Sequence, residues 1–532
     1  MGGLWVSLLI VFMASCCTMV LELVAGRILA PFIGVSLYTW TSIIGVCLAG
    51  ISAGNFAGGV LADKAGSRRT LGLILLGGGI FSLVILPLAA IDLTTIIPRQ
   101  SPLLPQDSWL VTRIVIVTSI LFFLPTFILG MVSPIVIKLA LTDLRQTGSV
   151  AGKIYAFSTV GSIFGTFLTG FYLVSAFGTR SVVLGVAVIL IGMAFVFGEL
   201  LPFGRGKGKG NVGVTAATAV ILALLIFWIN PKGAFTYERP DALNGGCYKE
   251  TNYFCIKVTD VDPGDPHNTR ALVLDHLIHS YNSLTDPLYL KYGYIKVYAD
   301  MIEYVAQKHP QYGAFFIGGG GYTLPRQMET LRPDAKIVVA EIDPGVTETN
   351  YEMLGVDRNT RIITYNADAR QIVEQYQGKE KFDLVFGDAF NDLQIPYHLT
   401  TKEFAQKVRN ILNEDGLYLA LVIDKLRGGQ FIPAYTKTVM EVFPHVYILN
   451  DAPSWNSPFP NTYLVAASAT PIDMERIKAI KTGQGPNGAP LVQVMPQDVM
   501  DQWLKETPTV ILTDDYAPAD NLVAPLFVDR SF

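Results

Sequence analysis

Two hydrophobic rhythms divide the chain. Up to about residue 232 the apolar residues come in long runs. From residue 233 they come in short runs separated by turns and charges. A bilayer core takes about 20 residues of helix. Seven runs reach that length, near 4–25, 38–62, 70–91, 109–141, 150–176, 180–202 and 212–230. The fourth carries Pro125 and Pro134, which remove backbone donors and predict kinks. The fifth holds Gly161, Gly165, Thr169 and Gly170, a spacing suited to close helix–helix approach in lipid.

The second rhythm predicts a different architecture. Residues 248–274 alternate apolar and polar positions around the turn Pro263-Gly264-Asp265-Pro266, as a small antiparallel β segment does. A helical lead-in ends at His309-Pro310. Strands then fall near 313–317, 336–341, 361–365, 381–387 and 415–423, with helices near 324–332, 345–355, 368–377 and 401–413. Further strands fall near 445–449 and 462–467. Short apolar strands alternating with helices predict a doubly wound, mostly parallel sheet. The expected organisation is therefore a multi-pass α-helical membrane domain of about seven helices (1–232), a β segment with helical lead-in (233–310), and an α/β Rossmann-like domain (311–532).

Composition adds exclusions. The chain of 532 residues is 51% hydrophobic and 16% charged, with a formal net charge of −4. That balance gives no electrostatic case for nucleic acid. Five cysteines show no zinc spacing, so no metal is expected. Cys16, Cys17 and Cys47 lie in apolar runs as small hydrophobes, whereas Cys247 and Cys255 can pair if their part of the chain meets an oxidising compartment.

Polar residues in the apolar half bear on orientation and function. Glu22 interrupts the first span, where a carboxyl is expensive and marks a functional position or a structural hydrogen bond. Asn55 raises the same question. Lys64, Arg68 and Arg69, then Lys138, Arg145 and Lys153, then Arg205, Lys207 and Lys209 enrich alternate loops, which places those loops and the N-terminus in the cytoplasm. Seven spans then put the C-terminal domain outside, while supply of a cytosolic metabolite would favour inside. Gly59-Val-Leu-Ala-Asp63-Lys64-Ala-Gly66-Ser-Arg68-Arg69 resembles the loop between the second and third helices of major-facilitator transporters. That resemblance keeps transport as a rival function.

Candidate chemistry clusters at the predicted strand ends, where doubly wound sheets bind ligands. Gly318, Gly319, Gly320 and Gly321 follow the first strand, Glu341 and Asp343 the second, Asp368 and Ala369 the third, and Asp388 the fourth. The loop has neither a triphosphate P-loop pattern nor a clean Gly-x-Gly-x-x-Gly. An adenosyl ligand without phosphates suits it, with Glu341 on the ribose hydroxyls and Asp368 at the adenine amino group.

These motifs, in order, make the C-terminal half resemble spermidine synthases, the aminopropyltransferase branch of the class I methyltransferase fold. The resemblance rests on Leu274-Asp275, Ile317 to Gly321, Val339 to Asp343, Ala367-Asp368-Ala369, Phe382 to Asp388, Ile395 to Phe404 and Leu512 to Pro518. With Glu22 to Arg27 and Tyr38-Thr-Trp40-Thr, the whole chain resembles membrane-fused spermidine synthase-like proteins. The resemblance implies transfer of an aminopropyl group from decarboxylated S-adenosylmethionine to an amine or polyamine. Asp388 would be the base, and no metal is needed. It also implies a homodimer. His279 would line the cofactor pocket. Tyr253, Asn391, Asp392, Asp515 and Tyr516 would meet the acceptor. The chain departs from that pattern at Gly321, where the family places an aspartate, at Asn391, and at Tyr253-Phe254 and His276 to His279. Two other readings stand beside it: an S-adenosylmethionine-dependent methyltransferase, and a non-catalytic transporter or sensor that binds an adenosyl compound or a polyamine.

Overall fold

The computed structural model describes residues 2–33, 36–90, 97, 106–141, 143–200, 247–262, 264–275, 277–389, 395–452, 454–457, 459–480 and 491–529. They fall into two compact units. One holds the N-terminal helices with Lys249–Cys255, and the other holds Cys247, Tyr248 and the residues from Ile256 onward.

Among the described residues the first unit has six helices long and apolar enough to cross a membrane. They are α1 (Leu4–Ala30), α2 (Leu37–Ala65), α3 (Arg68–Ala89), α4 (Val111–Ala140), α5 (Thr147–Leu173) and α6 (Ala176–Phe197). The seventh expected span, near 212–230, lies outside the described residues. Helix α1 is the central one: Val11, Cys17, Leu21, Val24, Ala25 and Leu29 are all buried. Gly161 and Gly165 allow its close contact with α5. A Cβ on them would sit 2.2 Å from the Phe12 carbonyl oxygen and 2.6 Å from that of Cys16. Gly170 is outside this contact, because nothing lies within 4 Å of its Cβ position. A second small-residue face, Gly54 and Gly58 of α2, meets the backbone of Phe127 and Met131 in the same way.

The prolines of α4 act as their chemistry requires. A π-helical turn, Ser119–Phe123, precedes Pro125, and the helix breaks at Met131 before Pro134. The Thr126 hydroxyl donates to the carbonyls of Phe122 (2.7 Å) and Phe123 (3.0 Å) in this irregular stretch. Ion pairs Lys138–Asp63 (3.7 Å) and Arg68–Glu199 (3.0 Å) gather the basic loops at one end of the bundle. At the other end, where α5 turns into α6, the Thr179 N–H donates to the Glu250 carboxylate (2.7 Å).

A four-stranded sheet is ordered β1 (Lys249–Glu250), β2 (Cys255–Asp260), β3 (Thr269–Leu274), β4 (Leu277–Ser283), with β2, β3 and β4 paired antiparallel. Strand β4 falls in what the sequence suggests is the lead-in. Its polar residues alternate with no apolar face, so periodicity hides it. After α7 (Gly293–Ala306) come β5 (Gly313–Ile317), α8 (Thr323–Leu331), β6 (Lys336–Ala340), α9 (Pro344–Met353), β7 (Ile363–Tyr365), α10 (Ala369–Tyr376), β8 (Phe382–Gly387), α11 (Lys402–Ile411), β9 (Leu412–Asp424), α12 (Phe431–Met440), β10 (His445–Asn450) and β11 (Asn461–Ser468). A short β12 (Gln493–Val494) completes an eight-stranded sheet ordered β12-β10-β11-β9-β8-β5-β6-β7.

Strands β9, β8, β5, β6 and β7 are parallel, while β11, β10 and β12 join antiparallel. The chain leaves β5 in one direction through β6 and β7, then returns to β8 on the other side of β5. That reversal is the switch point at which such sheets open a crevice. Phe316 of β5 stacks on Phe386 of β8 (4.4 Å between centroids), so the floor below the crevice is rigid and apolar.

Candidate active site

The glycine loop is held on three sides. Gly318, at φ +94°, lies against β8 so closely that a Cβ would sit 2.2 Å from the Asp388 carbonyl oxygen. The Asp388 N–H in turn donates to the Ile317 carbonyl (2.9 Å). Glu341, at the end of β6, accepts through Oε2 from the N–H of Gly319 (2.8 Å) and Gly320 (3.3 Å), and through Oε1 from the N–H of Asp343 (2.9 Å). Burial raises the Glu341 carboxyl above the usual range, against the pull of those three N–H groups. The Asn350 side chain donates to the Gly320 carbonyl (2.7 Å).

The third side is β4. Asn282, fully buried, donates to the Gly321 carbonyl (2.5 Å) and accepts from the Thr323 hydroxyl (2.8 Å). A Cβ on Gly321 would lie 1.9 Å from Ser280 Oγ and 2.5 Å from Asn282 Oδ1. The space a side chain would use there is filled by two neutral groups. Ser280 Oγ is buried and has no hydrogen-bond partner among the described residues.

Asp388 follows β8 at the switch point. Burial pushes its carboxyl up to about 7. Two tyrosines of α7 lie within reach of its charge, Tyr294 and Tyr298, and burial with Asp388 raises both phenols well above their ordinary value. Their rings meet edge to face at 5.9 Å, and Tyr298 meets Phe386 of β8 at 5.1 Å. Toward β4 the aromatic series continues through Tyr292 and Tyr281, 5.2 Å and 4.7 Å apart in sequence along the row. Sequence reasoning misses Tyr294 and Tyr298, although their four-residue spacing on an amphipathic helix puts them on one face.

The other expected site residues have contacts of their own. Asp343 is fully buried and caps α9 by accepting from the Gly345 N–H (2.8 Å). Asp368 caps α10, which begins at the buried Ala369, by accepting from the Arg370 N–H (2.9 Å). Its second oxygen pairs with His398 Nε2 (2.7 Å), and that hydrogen bond holds its carboxyl below the usual range. His398 sits in the loop before Thr401, which caps α11. Asp514 is bound by both Arg370 nitrogens (2.7 and 2.5 Å) and by the Thr401 hydroxyl (2.7 Å). Beside it, Asp515 and Tyr516 are exposed on a turn closed between Thr513 and Tyr516. His279 lies on β4, next to Ser280. Tyr253 is exposed and belongs to the Lys249–Cys255 segment of the first unit. Asn391 and Asp392 lie outside the described residues.

The chemistry of this arrangement is that of a nucleotide crevice with a carboxyl able to exchange a proton near neutrality. Comparison with known proteins narrows it. Residues 295–449 match the family described as Spermine/spermidine synthase domain. A polyamine aminopropyltransferase of Vibrio vulnificus is 35% identical over 107 residues, 20% of this chain and 35% of that protein. One from Thermococcus kodakarensis is 29% identical over 191 residues, 33% of this chain and 65% of that protein. The first three curated relatives are matched over 28% to 51% of their own length. Among solved structures, a probable spermidine synthase from Corynebacterium glutamicum is 21% identical with a TM-score of 0.42, covering 49% of this chain and 94% of that one. Across residues 295–449 the chain is thus similar to the spermine/spermidine synthase family.

Proposed function

We propose that the second unit transfers an aminopropyl group from decarboxylated S-adenosylmethionine to an amine, with Asp388 as the general base. The observation that carries this reading is the Asp388 carboxyl, raised to about 7 beside a glycine loop at the switch point. An ammonium is no nucleophile until a base takes its proton. A carboxylate with a value near the working pH does this well. The fit of an adenosyl donor rests on the loop: Gly318 and Gly319 leave no room for a side chain, and Glu341 stands behind them as an acceptor for ribose hydroxyls. The donor supplies a carbon bonded to sulfonium, whose sulfur leaves neutral, so the protein needs no acid. Asp388 receives the amine proton, and Tyr294 and Tyr298 form the apolar wall that holds it in place.

A second reading, an S-adenosylmethionine donor, is favoured by Gly321. Ser280 and Asn282 fill that corner with neutral groups, so among the described residues no carboxylate stands there to pair with the isolated ammonium of the decarboxylated compound. Calorimetric titration of the full chain with both compounds decides between them. Tighter binding of the decarboxylated donor supports aminopropyl transfer, while preference for the carboxylated one overturns it.

The proposal places the protein in the cell membrane with its second unit on the non-cytoplasmic side. Glu250, just past the expected seventh span, is held at the end of the bundle opposite the basic loops. Cys247 and Cys255 are disulfide-bonded, and Cys16, Cys17 and Cys47 are free.

A further inference from the structure

The membrane unit holds a half-buried carboxyl, one oxygen of which no described contact uses. Glu22 lies on α1, eight residues before its Ala30 end. At 1.5 Å per residue that is roughly 12 Å, within the hydrocarbon. Its Oε2 is buried and has no hydrogen-bond partner among the described residues. Lipid offers none, so an orphaned oxygen at this depth points to a partner that comes and goes.

Its surroundings define that partner. Ser15, Thr18, Glu22 and Gly26 follow one another at spacings of three, four and four, so they share one face of the central helix. At one end of this face the Ser15 hydroxyl meets that of Ser158 on α5 (2.6 Å). At the other end the Trp40 ring of α2 covers Gly26, where a Cβ would lie 2.9 Å from the ring. Cys47 of α2, fully buried, lies within reach of the Glu22 charge.

An inorganic cation is a poor match. Hard metal ions take six or more oxygens, and among the described residues no group of three His, Cys, Asp or Glu could hold a metal. An organic ammonium needs one counter-charge and few acceptors, and its alkyl chain suits apolar walls.

We propose that Glu22 binds the ammonium group of an alkylamine inside the membrane unit, at a site separate from Asp388. The proposal stands on the first unit alone and does not need the transferase reading. The test uses the full chain in liposomes treated with dicyclohexylcarbodiimide, a lipid-soluble reagent for buried carboxyls, with the adduct at Glu22 read by mass spectrometry. Putrescine is the probe, and sodium chloride at matched ionic strength is the control. The expected result is a several-fold loss of Glu22 labelling with putrescine and none with sodium chloride. Repeating it with Asp388→Asn separates the two sites, because protection must survive that change. Equal protection by sodium chloride, protection lost in Asp388→Asn, labelling that neither compound alters, or no labelling at Glu22 overturns the proposal.

Discussion

Burial holds the Asp388 carboxyl at about 7, so it titrates where the reaction would run. The pH dependence of kcat/KM reports groups of the free enzyme. Its acid limb should therefore fall near pH 7, with activity rising as Asp388 loses its proton. Asp388→Asn should lower kcat by about 10²–10⁴-fold, the usual worth of a general base. The same shift has a stability sign. The folded state binds this proton more tightly than the unfolded chain, whose aspartates titrate near 3.9. Stabilisation by the proton is complete below that value and is lost as pH rises through about 7. Asp388→Asn should therefore match the parent in unfolding free energy at pH 4 and exceed it at pH 8 by an amount on the order of a few kcal/mol, with a higher Tm there. An equal or lower Tm at pH 8 would show that the carboxyl carries no burial cost. Glu341 is raised by the same burial, but its oxygens are already committed to backbone N–H groups. Glu341→Ala should weaken adenosyl binding by loosening the loop as well as by removing a ribose contact, and it should also lower Tm. Calorimetry with 5′-methylthioadenosine, which lacks a charged tail, measures the first effect.

At the scale of elements, the N-terminus of α10 joins three distant segments. Arg370 bridges the His398 carbonyl (2.9 Å) and the Asp514 carboxylate, while Asp368 holds the His398 ring. Fork-shaped Arg–carboxylate pairs are the stronger surface contacts, yet partial exposure limits each to about 1 kcal/mol. Arg370→Ala should cost roughly that much stability and speed hydrogen exchange at 512–518, with exchange in β5 and β6 unchanged. Exchange that stays slow at 512–518 would remove Arg370 as the tie. This cluster also marks the limit of the sequence. Asp368 could be placed at a strand end because apolar runs and caps are local signals. That both its oxygens are taken depends on His398, 30 positions away, and no spacing rule encodes that contact. Strand β4 was hidden for a related reason. His279, Ser280, Tyr281 and Asn282 are polar on both faces, because one of those faces is aimed at the glycine loop rather than at water or core. In the first unit, Gly161 and Gly165 are legible as a contact face, but only the fold separates them from Gly170, which touches nothing.

For the whole molecule the question with most leverage is the side of the bilayer on which the second unit works. The proposed non-cytoplasmic side rests on three observations. Lys138 and Arg68, from separate basic loops, are paired with Asp63 and Glu199 at one end of the bundle. Positive loops stay in the cytoplasm. Glu250 is tied to the α5–α6 turn at the opposite end. The disulfide-bonded Cys247 and Cys255 flank that residue, and disulfides persist in oxidising compartments. Protease added to right-side-out vesicles should therefore cleave the second unit, whereas a tag placed in the 64–69 loop should be cut only in inside-out vesicles. Peptide mapping without reductant should recover Cys247 linked to Cys255. Protection of the second unit in right-side-out vesicles, together with free thiols at both cysteines, would return it to the cytoplasm. The consequence reaches the chemistry. If the second unit faces outward and transfers an aminopropyl group as proposed, it draws on amines and adenosyl compounds outside the cytosol, and its affinity for the donor should be set by that supply.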